Sequence, residues 1–97
     1  MKLTDEQIRE GLDRLTDWEW DPDAPNIHRT VRLHDFVAAM AFVNEIAQAA
    51  EQAGHHPDID IRYNRVHLSL CTHAVGALTE NDMALAARID ELVPSHP

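Results

Sequence analysis

The chain carries one cysteine, Cys71, so it has no internal disulfide. Cys71 sits inside an apolar run and reads as a small core or near-core side chain, which suits a reducing compartment. Basic residues are scarce: Lys and Arg total 8 against 17 Asp and Glu, a formal net charge of −9. That balance repels phosphate backbones and acidic membranes and argues against direct nucleic-acid binding. Long apolar runs are missing as well. None approaches the ~20 residues needed to span a bilayer. The opening MKLTDEQ has no apolar stretch behind Lys2, so no export signal is expected and the chain reads as cytoplasmic. Glycine is rare, with three in the chain, and no phosphate-cradling loop, nucleotide fingerprint or nucleophilic triad can be read.

What remains suits a folded globule. The 97 residues, 44% of them hydrophobic, fit a single domain over 1–97. A core of that size leaves a modest margin, so association into a homodimer or homotetramer is expected. Ile8, Leu12 and Leu15 mark a first helix, with Thr4 and Gln7 spaced for a capping box. Asp17 to Trp20 reads as a short strand, DPDAPN as a turn, and Ile27 to His34 as an alternating strand with Ile27, Arg29, Val31 and Leu33 on one face. Asp35 caps a second helix. Its apolar stripe runs through Phe36, Ala39, Met40, Val43, Ile46, Ala47 and Ala50, leaving Phe42 outside, either to meet a partner subunit or to sit partly exposed at the border of the stripe.

Gly54 supplies a left-handed helix end. Ile59, Ile61 and Tyr63 alternate as a third strand, Asn64-Arg65 turns, and Val66, Leu68 and Leu70 alternate as a fourth. Thr79 and Asp82 are spaced for the start of a last helix with Leu85, Ile89 and Leu92 inward. The order helix-ββ-helix-ββ-helix predicts an α+β two-layer sandwich: a four-stranded antiparallel sheet from two hairpins, with helices on one face.

The chemistry-bearing residues concentrate between Glu51 and Asp82. Singly, each has an ordinary explanation: His28, His34, His67 and His96 read as solvated, and an imidazole at a helix end can simply complement the helix dipole. Together they converge. The fourth strand is expected to run on through Cys71 to end at His73, so its antiparallel pairing with the third brings His73 toward the residues just before the third, His55 and His56. Three imidazoles near carboxylates suit either a metal site or proton transfer near neutral pH. Glu51 lies four residues before His55, so the two are expected to share a helix face, the carboxylate favouring the protonated ring.

Glu51, three residues, His55-His56-Pro57, five residues, Tyr63, nine residues, His73, eight residues, Asp82: this pattern resembles the pterin-4a-carbinolamine dehydratase family. Trp18, Asp35-Phe36, the helix through Val43 and the Asn64-x-Val66 turn are similar to it too, so the resemblance spans residues 3–93. Members of that family remove water from 4a-hydroxytetrahydropterin and give quinonoid dihydropterin, recycling the cofactor of aromatic amino-acid hydroxylases. The resemblance implies His55, His56 and His73 as catalytic residues, and Glu51, Asp82, Trp18 and Tyr63 around the substrate. It implies no metal and no cofactor beyond the pterin substrate, and oligomers whose sheets extend across a dimer. Two positions depart from the pattern: Ile59 stands where some members carry Trp, and Ala77 where a glycine is common. Ala77 is expected to be strained if that position needs positive φ. His55 is expected to donate to the C4a hydroxyl and His56 to handle the other proton, with His73 serving the opposite face. A non-enzymatic binding, assembly or coactivator module on the same fold is the alternative.

Overall fold

The computed structural model describes residues 1–95; His96 lies outside them. Seven elements follow in chain order: α1 (Asp5–Asp13), β1 (Glu19–Trp20), β2 (Ile27–Arg32), α2 (Phe36–Ala53), β3 (Asp58–Arg62), β4 (Arg65–Leu70) and α3 (Glu80–Leu92). The sheet is antiparallel in the order β1-β2-β4-β3. The fold is the α+β arrangement that the order of elements implies, with the two hairpins joined where β2 pairs with β4, from Ile27↔Leu70 to Arg32↔Arg65.

The helix ends form where short polar side chains can satisfy unpaired backbone donors. Thr4 and Gln7 exchange the two hydrogen bonds of a capping box, at 3.2 and 2.9 Å. Asp35 accepts from the Ala38 amide at 2.8 Å. Gly54 ends α2 in the left-handed region, φ 63°, which a side chain would strain. Ile27, Val31, Val66, Leu68 and Leu70 alternate inward from the two central strands and meet Ile46, Leu85 and Ile89 from α2 and α3.

Four expectations change in detail. β1 holds only Glu19 and Trp20, and β2 stops at Arg32. The β3–β4 connection is Tyr63-Asn64 rather than Asn64-Arg65: Tyr63 leaves the strand with φ 51°, and Arg65 already pairs with Arg62. β4 ends at Leu70, so Cys71 and His73 follow the strand instead of lying in it. The stripe on α2 is also rotated. Phe42 is 2% exposed and belongs to the core, whereas Phe36 and Ala47 are exposed. The first turns of α2 are apolar nearly all round, FVAAMAFV, so periodicity alone does not choose a face. Burying the Phe42 ring removes more apolar area from water than burying Ala47 would.

β3 stands apart from the helices. Four of its five residues are exposed, including Ile59, and Ile61 is half-buried. The sheet therefore keeps one open edge with uncovered apolar side chains.

Replacing Phe42 by Ala should lower unfolding stability by about 3–5 kcal/mol, the usual cost of deleting a buried ring. Urea denaturation checks this. A loss within about 0.5 kcal/mol, as for a surface site, would contradict the burial.

Candidate active site

The β3–β4 hairpin and the start of α3 place the three histidines. Asp58 of β3 pairs with Ser69 of β4, so His55 and His56, just before β3, and His73, just after β4, leave the same end of the hairpin. His73 lies in the turn that follows β4 and is exposed. That turn closes on itself: the Thr72 amide donates to the Ala77 carbonyl at 3.0 Å, and the Gly76 amide to the Thr72 carbonyl at 2.8 Å. The left-handed residue of the turn is Gly76, φ 68°, and Ala77 is not in that region, so Ala77 carries no strain of that kind.

His55 and Asp82 form the centre. The His55 ring is 12% exposed, and its Nε2 lies 2.5 Å from Asp82 Oδ1. Asp82 is fully buried, at 0%. It is the third residue of α3, and Oδ2 accepts from the Thr79 amide at 2.9 Å, which completes a capping box, and from the Thr72 hydroxyl at 2.8 Å. A buried carboxylate is tolerated only with such a set of donors. With no exposed surface, Asp82 is not placed to touch a ligand itself, and the group it presents to the outside is His55.

Glu51 pairs with His56 rather than His55. The reason is where the helix stops. α2 ends at Ala53 and the left-handed Gly54 turns the chain, so the four-residue helical spacing no longer governs His55. His56 and Glu51 are both well exposed, in contrast to the buried pair beside them.

The other two expected site residues lie elsewhere in this chain. Tyr63 occupies the turn at the opposite end of the hairpin from the histidines and is exposed. Trp18 is buried in the core, and its Nε1 donates to Asp90 Oδ1 at 2.7 Å. Asp90 also accepts from Arg29 at 2.6 Å and from the Thr16 amide at 2.9 Å. This explains why the inward face of β2 carries Arg29: its charge is met by a carboxylate from the far end of α3.

Thr72 and Thr79 complete the polar cluster and were not singled out by sequence reasoning. The capping-box spacing pointed at Thr79 only as a helix start, and nothing in sequence marks Thr72. A cavity of about 280 Å³ opens beside His55 between α2 and α3. Ala49 and Leu85 are buried there, and Gln52, Asn81 and Arg88 are exposed along it. Among the described residues no group of three His, Cys, Asp or Glu side chains is placed to hold a metal ion.

The chain matches the family model described as pterin 4 alpha carbinolamine dehydratase over residues 1–92. The chain belongs to this family. A provisionally named pterin-4-alpha-carbinolamine dehydratase from Acidobacterium capsulatum is 58% identical over 92 residues, covering 95% of this chain and 98% of the relative. One from Nocardia farcinica is 52% identical over 90 residues, covering 93% of each. The crystal structure of a transcriptional coactivator/pterin dehydratase from Brucella melitensis superposes with a TM-score of 0.92 at 31% identity, covering 97% of this chain and 100% of that one. A pterin dehydratase-like protein identified as a RuBisCO assembly factor shares the fold, with a TM-score of 0.70 at 24% identity over 84% of this chain and 95% of that one.

Cys71 lies beside the cluster, half-buried, with its Sγ 3.8 Å from the Ala77 carbonyl. Burial, and then the carboxylates of Asp82 and Asp58, push its thiol pKa up. Iodoacetamide at pH 7 should therefore modify Cys71 more slowly than a free thiol, since the thiolate is the nucleophile. The sign for stability follows: the contribution is complete below the thiol's unfolded pKa and is lost as pH rises through the raised folded value. Alkylation at neutral pH as fast as that of a free thiol would contradict this.

Proposed function

We propose that the chain, as one domain over 1–97, is a dehydratase converting 4a-hydroxytetrahydropterin to quinonoid dihydropterin and water. The reading is carried by one observation: in a chain of this family, an imidazole, His55, is held by a fully buried carboxylate beside two exposed histidines. The reaction breaks the C4a–O bond and forms a C4a–N5 double bond. One proton goes to the departing hydroxyl and one leaves N5, so no redox partner is needed. Each such transfer to or from a positioned side chain is typically worth ~10²–10⁴ in rate.

His55 is the acid for the hydroxyl. Asp82 on its Nε2 stabilises the charged ring and leaves Nδ1 as the exchanging nitrogen. His56, with Glu51 on its Nε2, takes the proton from N5. His73, exposed in the turn after β4, serves the other face of C4a. A binding role on the same fold is the alternative, favoured by the Brucella melitensis relative's description as both coactivator and dehydratase.

We also infer self-association. The ground is now the open β3 edge with Ile59 uncovered, not Phe42. In such an oligomer Tyr63 would reach a substrate only if a second copy brought it, since it lies at the opposite end of its hairpin from the histidines, whereas Trp18 stays buried in its own core.

Purified protein at micromolar concentration should speed loss of the carbinolamine absorbance above the spontaneous rate; no acceleration overturns the dehydratase. Ala at His55, His56 and His73 should cut kcat more than tenfold for at least two of the three, falling on kcat more than KM. If all three variants keep near-native turnover while Glu51→Ala abolishes it, the carboxylate is the acid–base group. Sedimentation should give a mass above the monomer, and a monomer at working concentration would refute association.

A further inference from the structure

Thr72 joins both halves of the histidine cluster, one through its side chain and the other through its backbone. Asp82 as a carboxylate only accepts hydrogen bonds. The Thr72 hydroxyl, 2.8 Å from Oδ2, must therefore donate its one proton there. It has none left for Thr79, whose Oγ1 lies 2.7 Å away, so the Thr79 hydroxyl donates to Thr72. Thr79 Oγ1 in turn accepts from the Asn81 amide at 3.3 Å. Every proton in this chain of hydroxyls points toward Asp82.

The consequence reaches the imidazole. Oδ2 is filled by the Thr72 hydroxyl and the Thr79 amide, which leaves Oδ1 to face His55. The carboxylate cannot rotate without losing a donor and leaving a buried acceptor short of a partner. His55 must then carry its proton on Nε2. The backbone of Thr72 does something separate: its carbonyl accepts from the Val75 and Gly76 amides at 3.0 and 2.8 Å and so shapes the turn that carries His73.

We propose that Thr72 is a positioning residue for the reaction, orienting Asp82 so that His55 is held in the tautomer that leaves Nδ1 free to exchange a proton with the substrate. This rests on the dehydratase reading. A side-chain substitution separates the two links, because Thr72 meets the turn around His73 through its backbone amide and carbonyl.

The test compares Thr72→Val, which keeps shape and loses the donor, with Thr72→Ser, which keeps the donor. Thr72→Val should lower kcat by about tenfold or more, the usual cost of removing a partner that orients a functional imidazole, with KM little changed. Thr72→Ser should stay within about twofold of the parent, as the retained hydrogen bond requires. Long-range ¹H–¹⁵N spectra should show His55 protonated on Nε2 in the unmodified protein and a mixture of tautomers in Thr72→Val. Unchanged kcat in folded Thr72→Val overturns the proposal, as does failure of Thr72→Ser to preserve turnover. If Thr72→Val does not fold, the spectrum of the unmodified protein and the Thr72→Ser rate decide: a neutral His55 ring whose single proton sits on Nδ1 instead of Nε2 overturns it. If the unmodified protein shows no dehydratase activity, the reaction assignment fails while the spectra still report whether Thr72 sets the tautomer.

Discussion

A carboxylate removed from water must find all its partners inside the protein, and Asp82 imposes that demand on three segments at once. It takes the Thr79 amide from its own helix start, the Thr72 hydroxyl from the end of the second hairpin, and the His55 ring from the end of α2. Its place in the sequence is ordinary, the third residue of a capped helix. Its place in space makes the helix cap, the hairpin end and the candidate acid one structure. None of the three can shift without leaving a buried oxygen short of a donor, so local fold and local chemistry share a single constraint.

The contrast between the two His–carboxylate pairs follows from the same source. His55 and Asp82 are shielded, while His56 and Glu51 stand largely in water. Solvent screening makes an exposed pair weak and adaptable, and burial makes the other strong and directional. Two adjacent residues with similar side chains are thus given different surroundings, as acid–base division of labour requires.

Much of this was legible in the chain, and the rest had a definable reason to be hidden. Alternation in VHLSL and IHRTV fixed the inward faces of the central strands, and Thr79-x-x-Asp82 announced the start of α3, because those signals are local. The pairing of His55 with Asp82 spans 27 residues and that of Arg29 with Asp90 spans 61, so no spacing rule reaches them. Glu51 and His55 misled for a local reason: helical spacing was applied across Gly54, where the helix had already ended. Phe42 misled because an Ala-rich helix offers several equally apolar faces, and the choice is made by the sheet beneath it.

The two ends of α3 leave their own record. Asp82 serves the histidine cluster, and Asp90, eight positions on, serves Trp18 and Arg29. One residue inserted between them would turn one end about 100° relative to the other and displace it ~1.5 Å. Either buried group would then lose its partners. Over evolutionary time the helix can exchange outward side chains away from the cavity, at Ala87 and Glu91, but it cannot change its length between the two carboxylates. Among descendants of this sequence, gaps and insertions should accumulate in loops and termini, and the interval from Asp82 to Asp90 should stay fixed.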